Sequence, residues 1–137
     1  MHNQLGTQLL VQAPNETGIG ADIFSALSGL GISVISFVGW IQDGQAFFAV
    51  VVDQQVEAAR QALATAGFSV QTHTVVLAEL ASQPGALVAL LRTLAEANID
   101  VKYAFATSSG LPRTLVILHT SNNEIAKHVI STIPSRA

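Results

Sequence analysis

Two short loops hold the residues best suited to chemistry in this chain, Asn15-Glu16-Thr17-Gly18 and Ser82-Gln83-Pro84-Gly85. Each stands between an apolar, strand-like run and the start of a helical period. A glycine at a helix start lets backbone N–H groups approach an anion such as a carboxylate, aided by the helix dipole. A side-chain amide nearby, such as Asn15, is able to pair an ammonium. This is binding chemistry. Catalytic patterns are not found. Thr17-Gly18-Ile19-Gly20 has part of a dinucleotide fingerprint, but Ile23 stands where the third glycine belongs and the second loop lacks the pattern. His2, His73, His119 and His128 show no metal-ligand spacing. No Gly-x-Ser-x-Gly elbow occurs, and Asp22, Glu57, Glu96 and Glu124 all fall on helical segments. No catalytic residue, metal or cofactor is expected.

The loops must be positioned by the elements around them. Gln8 to Gln12 reads as a strand, and from Ile19 the apolar period becomes helical through Ile23, Phe24, Leu27 and Leu30. Gly31 ends that helix in a left-handed turn. Ile32 to Val38 and Ala46 to Val52 read as strands joined at Asp43-Gly44, a hairpin signal. Asp53 is the expected N-cap of a second helix carrying Val56, Ala59, Ala62 and Leu63 and ended by Gly67. From Phe68 the chain reads as strand to Leu80 with no turn residue inside.

The same order then recurs. Gly18 and Gly85 lie 67 positions apart, and at that offset Ile23 falls on Leu90, Leu27 on Leu94, Ile32 on Ile99 and Glu57 on Glu124, with no gap introduced. A unit used twice is the reading of such a repeat. In the second copy a helix runs from Ala86 to Ala97 with Leu87, Leu90, Leu91 and Leu94 facing inward. Asn98 replaces Gly31, the Ile99–Thr107 and Thr114–Thr120 strands turn around Ser108-Ser109-Gly110, and Asn122 to Ser131 is the last helix. The residues beyond Ser131 are too few and too proline-interrupted for a last strand, so a sheet edge is left open. The expected fold is α+β: two ferredoxin-like βαββαβ units in tandem, each an antiparallel sheet with helices on one face. Their bounds are 7–71 and 72–133, with a tail at 134–137.

Composition narrows the class. Of 137 residues half are apolar and 11% charged, which excludes disorder and supports a packed core. A net charge of −3 with few, scattered lysines and arginines argues against nucleic acid. There is no cysteine, and no apolar run approaches the roughly 18 residues that span a bilayer. A cytoplasmic protein without membrane contact is expected, and the open edge and apolar content favour a homodimer.

The stretch Leu80-Ala81-Ser82-Gln83-Pro84-Gly85-Ala86-Leu87, followed after a helix by Ala95-Glu96-Ala97-Asn98-Ile99-Asp100-Val101, resembles the ACT domain, a small-molecule-sensing regulatory module. The first copy, Ala13 to Gly20 and Ser28 to Val34, is a looser version, with Thr17-Gly18 in place of Pro-Gly. The whole resembles stand-alone tandem ACT proteins that bind amino acids. The resemblance implies an amino acid in a groove between two units. It implies contacts from Asn15, Thr17, Gly18, Ile19 and Ser33 in the first copy. In the second they come from Ser82, Gln83, Pro84, Gly85, Ala86 and Asp100. Turn geometry alone also accounts for Gly18, Gly85, Gly31 and Asn98, helix capping for Asn15, and an exposed strand start for Asp100. Tyr103, Phe105, Trp40, Phe47 and Phe48 are expected in a core or interface. The alternative function is an interaction protein that oligomerises through sheet edges without a ligand; a regulated enzyme, if the sensor reading holds, has no signature in the chain.

Overall fold

A computed structural model describes residues 1–108 and 112–134. Its elements are β1 (Asn3–Pro14), α1 (Ile19–Ser28), β2 (Val34–Gln42), β3 (Gln45–Val52), α2 (Val56–Thr65), β4 (Ser69–Ala81), α3 (Ala86–Glu96), β5 (Val101–Thr107), β6 (Arg113–Thr120) and α4 (Asn123–Ser131). The strands pair antiparallel, and the architecture is that of ferredoxin-like units in tandem. The chain divides into two compact units, Thr7–His73 and a second made of Met1–Gly6 with Thr74–Ala137.

In the first unit β3 lies between β2 and β1. Alternate residues Leu9, Val11 and Ala13 of β1, with Val50 and Val52 of β3, bury one sheet face against Ile23 and Leu27 of α1 and Ala59 and Leu63 of α2. Asp43 and Gly44 both have positive φ (51° and 74°), the two-residue turn that matches strand twist. Phe24 meets Phe37 and Phe48 with ring centroids 4.9 and 5.9 Å apart, and Trp40 stacks on Phe47 at 5.6 Å. In the second unit β6 lies between β4 and β5, and Val76, Ala78, Leu80, Val116 and Leu118 pack on Leu90, Leu94, Ala126 and Ile130.

The open edge of the second unit is closed from the other end of the chain. The polar-looking segment before Gln8 is strand from Asn3 onward, and its Met1 and Leu5 pack against the second core. The Glu79 N–H donates to the His2 carbonyl at 2.9 Å, and Asn3 Nδ2 donates to Ser131 Oγ at 3.1 Å on α4. The Met1 ammonium donates to the Ile133 carbonyl. Gly6 packs closely there: a Cβ would stand 2.9 Å from Leu77 Cδ1, and the leucine side chain would have to shift to admit it. Unpaired strand groups next to a core are costly, and the N-terminal segment lies beside β4, where the described residues after α4 form no strand.

Several local expectations are corrected. The repeat is not free of gaps. The helices and first strands correspond at 67 positions, but β3 (Gln45–Val52) and β6 (Arg113–Thr120) correspond at 68. The second hairpin loop is longer and the β6–α4 connection shorter, which restores the offset. Leu87 and Leu91 are 48% and 41% exposed; only Leu90 and Leu94, one turn apart, reach the core. Leu30 is also exposed, lying past the end of α1. β2 begins at Val34 and extends to Gln42, beyond Val38, while Ile32 is buried ahead of it. Asp53 does not cap α2, whose N-cap is Gln55 at φ 55°. Its Oδ1 accepts from the Ser33 N–H at 3.1 Å instead. α4, by contrast, is capped by Asn122, whose side chain accepts from the Ile125 N–H at 3.1 Å. Ser109 and Gly110 of the second hairpin tip and residues 135–137 of the tail lie outside the described residues.

Candidate functional site

The second strand–helix loop is held at both ends by backbone bonds. The Ser82 N–H donates to the Pro112 carbonyl at 2.8 Å, the Gln83 N–H to Ala81 at 2.8 Å, and the Ala86 N–H to Gln83 at 3.3 Å. Ser82 Oγ and Thr114 Oγ1 share a hydrogen bond of 2.6 Å, so the hydroxyl stitches the loop to β6. Gly85 then takes φ 87°, a conformation that glycine adopts without steric cost. No side chain caps α3. Its first turn closes through Ala89 N–H on Gly85, at 2.9 Å. The N–H groups of Leu87 and Val88 have no acceptor within the helix, so the positive end of the dipole stays open.

A cavity of about 320 Å³ lies against this loop, near the lower end of the ~300–1,000 Å³ usual for ligand pockets. Gln83, Pro84, Gly85 and Ala86 line it, all within the second unit. Leu80, Ala89 and Ile133 add apolar wall and Met1 of the N-terminal segment another part, while Glu79 and Arg113 border it from exposed strand positions that alternate to the sheet face opposite Leu80. The cavity thus joins an apolar wall to an uncapped helix start. This arrangement suits a small molecule with an anionic group.

The expected site residues separate into those that meet here and those that do not. Gln83, Pro84, Gly85 and Ala86 line the cavity, and Ser82 braces the loop behind them. Asn15, Thr17, Gly18, Ile19 and Ser33 belong to the first unit and do not line it. Gly18 matches Gly85 in conformation (φ 86°) at an equally uncapped helix start. Asn15 is exposed and makes no capping bond to α1, and Ile19 packs on the first core. Ser33 and Asp100 do related latching work. The Ser33 N–H reaches the Asp53 carboxylate, while the Asp100 N–H reaches Ser121 Oγ at 3.0 Å, serine and aspartate having exchanged places. Each bond ties the start of one strand to the end of its hairpin partner. Glu79, Arg113, Met1 and Ile133 were not legible as site residues. Glu79 stands where the first unit has Gln12, and Arg113 where it has Gln45, the latter hidden by the 68-position offset.

Among the described residues no group of histidines and carboxylates could hold a metal ion. His119 Nδ1 bonds the Thr74 carbonyl at 3.1 Å and its ring meets Tyr103 at 5.1 Å, an arrangement within the sheet. The Arg60 guanidinium hydrogen-bonded to Glu57 (Nε to Oε2 3.0 Å) holds the Glu57 carboxyl below its ordinary value, and Glu57 raises that of Arg60. That pair lies on α2, away from the cavity. No described helix is long and apolar enough to cross a membrane.

Tandem ferredoxin-like units with a glycine-led loop before each first helix define a class of small paired domains. The chain belongs to the ACT domain pair family, whose model matches residues 6–133. No curated protein matches it. Its fold is shared with solved structures at low identity. Protein BT0572 from Bacteroides thetaiotaomicron is 19% identical, with a TM-score of 0.86 over 94% of this chain and 88% of that one. The ligand-free regulatory subunit of aspartate kinase from Thermus thermophilus is 18% identical, with a TM-score of 0.69 over 96% of each chain. The regulatory subunit from Thermus flavus is 19% identical, with a TM-score of 0.64 over 95% and 94%.

Proposed function

We propose that this protein is a regulatory sensor that binds an amino acid at the second strand–helix loop and performs no catalysis itself. The carrying observation is the cavity beside Gly85, where an uncapped helix start meets an apolar wall. Membership of the ACT domain pair family supports a regulatory role, and so do fold neighbours that are regulatory subunits of aspartate kinase. By that likeness the protein regulates an enzyme, in the cytoplasm. The test is a thermal-shift screen against the twenty amino acids. Ligand at about 100 times its dissociation constant adds roughly 2.7 kcal/mol and moves a small domain's midpoint by several degrees. A clear shift for one amino acid is expected; a flat panel overturns the reading.

Assembly into a homodimer through β2 belongs to the same proposal. β2 ends the strand order of its unit, and Ile35, Phe37 and Ile41 on it are exposed, the last two by 53% and 56%. Exposed apolar strand edges invite pairing. The same strip favours the second reading, an interaction protein without ligand. Sedimentation with Ile41→Glu tests it: the variant is expected to be monomeric, and an unchanged mass would place any self-association elsewhere.

A further inference from the structure

The end strands of the two units have opposite shapes. Phe37, Gly39 and Ile41 of β2 pair with Val50, Phe48 and Ala46 of β3, which puts them on the helix side of their sheet. Ala104 and Ala106 of β5 pair with Leu118 and Val116 of β6 and lie on the helix side of theirs. All five are exposed. The edge of β2 thus carries large apolar side chains and the edge of β5 only methyl groups. The helices reverse this. The Phe24 ring of α1 lies 4.9 Å from that of Phe37, and a Cβ on Gly20 would stand 3.4 Å from Phe48, so this flank of α1 faces β2. Its other residues are small, Gly20, Ala21 and Ser28. In place of Gly20 and Ala21, α3 has Leu87 and Val88, 48% and 52% exposed.

Charge separates the units as well. In the first, Glu16, Asp22, Asp43, Asp53 and Glu57 stand against Arg60 alone; in the second, four acidic side chains stand against five basic ones. Joining two first units brings like charge together, and joining a first to a second does not.

Keeping β2 from the assembly reading above, we infer that its partner is β5 of a second copy of this chain. Phe37 and Ile41 pack beside Ala104 and Ala106 of the other copy, and Leu87 and Val88 of that copy cover the small flank of α1. Corresponding edges joined with their helices on one face run antiparallel. Two β2 strands side by side would crowd Phe37 and Ile41 and leave Gly20 and Ala21 bare; two β5 strands would do the reverse. The contact is heterologous, between unlike surfaces, and it needs no ligand.

The experiment is sedimentation of the full chain as wild type, Ile41→Glu, Ala104→Glu and an equimolar mixture of the two variants. Both positions are exposed, so each variant is expected to keep the wild-type circular dichroism spectrum. Each variant alone is expected to be monomeric. The mixture is expected to regain a complex of twice the monomer mass, because one variant keeps an intact β5 and the other an intact β2. Ala104→Glu that keeps the wild-type mass while Ile41→Glu is monomeric would overturn the inference and leave a contact between two β2 strands standing. A monomeric wild type, or an Ile41→Glu variant that stays associated, removes the assembly reading and the inference with it. A second measurement avoids new charges. The chain has no cysteine, so Ile41→Cys and Ala104→Cys carry one thiol each. On oxidation of their mixture the mixed disulfide is expected to exceed either self-disulfide; an excess of the Ile41→Cys self-disulfide overturns the pairing.

Discussion

The two units have almost the same core and different surfaces. Ile23 and Leu90, Leu27 and Leu94, Ala59 and Ala126, Leu63 and Ile130 occupy matching buried places. Around those cores the residues diverge. The first unit carries Ile35, Phe37 and Ile41 along its end strand, where the second has Lys102, Ala104 and Ser108. The second carries Glu79 and Arg113 where the first has glutamines. Duplication keeps what packing demands, because one lost methylene in a close-packed interior is felt. It leaves surface positions free to diverge. The proposed assembly strand β2 and the proposed ligand loop accordingly fall in different units.

The comparison is broken most strongly in the cores. Leu27→Ala and Leu94→Ala remove fully buried side chains at equivalent positions, and each is expected to cost about 2–5 kcal/mol in denaturant unfolding. A large difference between the two costs would show that the cores are not energetic equivalents. Next comes the N-terminal segment, which joins the second unit from the far end of the chain. Deleting Met1–Gly6 removes the bond from Glu79 and the Met1 and Leu5 contacts, for an expected loss of about 2–3 kcal/mol. Hydrogen exchange should quicken at β4 residues 74–81 and leave β3 unchanged. Equal quickening in both units would contradict the assignment of this segment to the second.

Gly18→Ala and Gly85→Ala sharpen the same contrast at the loops. Both glycines have φ near 86° with open space where a Cβ would go, so each substitution should cost about 1 kcal/mol through backbone strain alone. Only Gly85→Ala is expected to weaken amino-acid binding as well. A smaller effect separates Leu90 from its neighbour. Leu91→Lys, at an exposed position, should change stability by about 0.5 kcal/mol or less. The smallest concerns Glu57. Its folded pKa is lowered by Arg60, so the pair favours the folded state above the ordinary carboxylate value of 4.5. That contribution is lost as pH falls through the lowered folded value. Glu57→Gln should therefore reduce the melting temperature slightly at neutral pH and not in strong acid, and high salt should abolish the difference. Glu124 and Lys127 hold the corresponding positions on α4 and allow the same measurement in the second unit.

Half of the candidate site is visible in the chain and half is not. Gln83 to Ala86 stand out because a glycine between a strand run and a helical period is a local signal. Glu79 and Arg113 give none: both are exposed strand residues, and only the fold brings their strand positions beside the loop. A gapless repeat hides Arg113 further by aligning β6 one residue out of place. Leu87 and Leu91 read as inward-facing because an all-apolar helix face looks wider than the sheet it covers. Ser33 and Asp100 are ligand contacts by resemblance, and the fold also uses their backbone N–H groups to hold hairpin ends.

By itself the sequence determined what short-range chemistry decides. The periods of strand and helix, the left-handed turns at Gly18, Gly31, Gly85 and Asn98, and the duplication all depend on residues a few positions apart. Tertiary structure alone decided which unit the first six residues join, because that depends on an unpaired edge more than seventy positions away. It likewise decided which residues line the cavity, since strand pairing brings together positions that are remote in sequence.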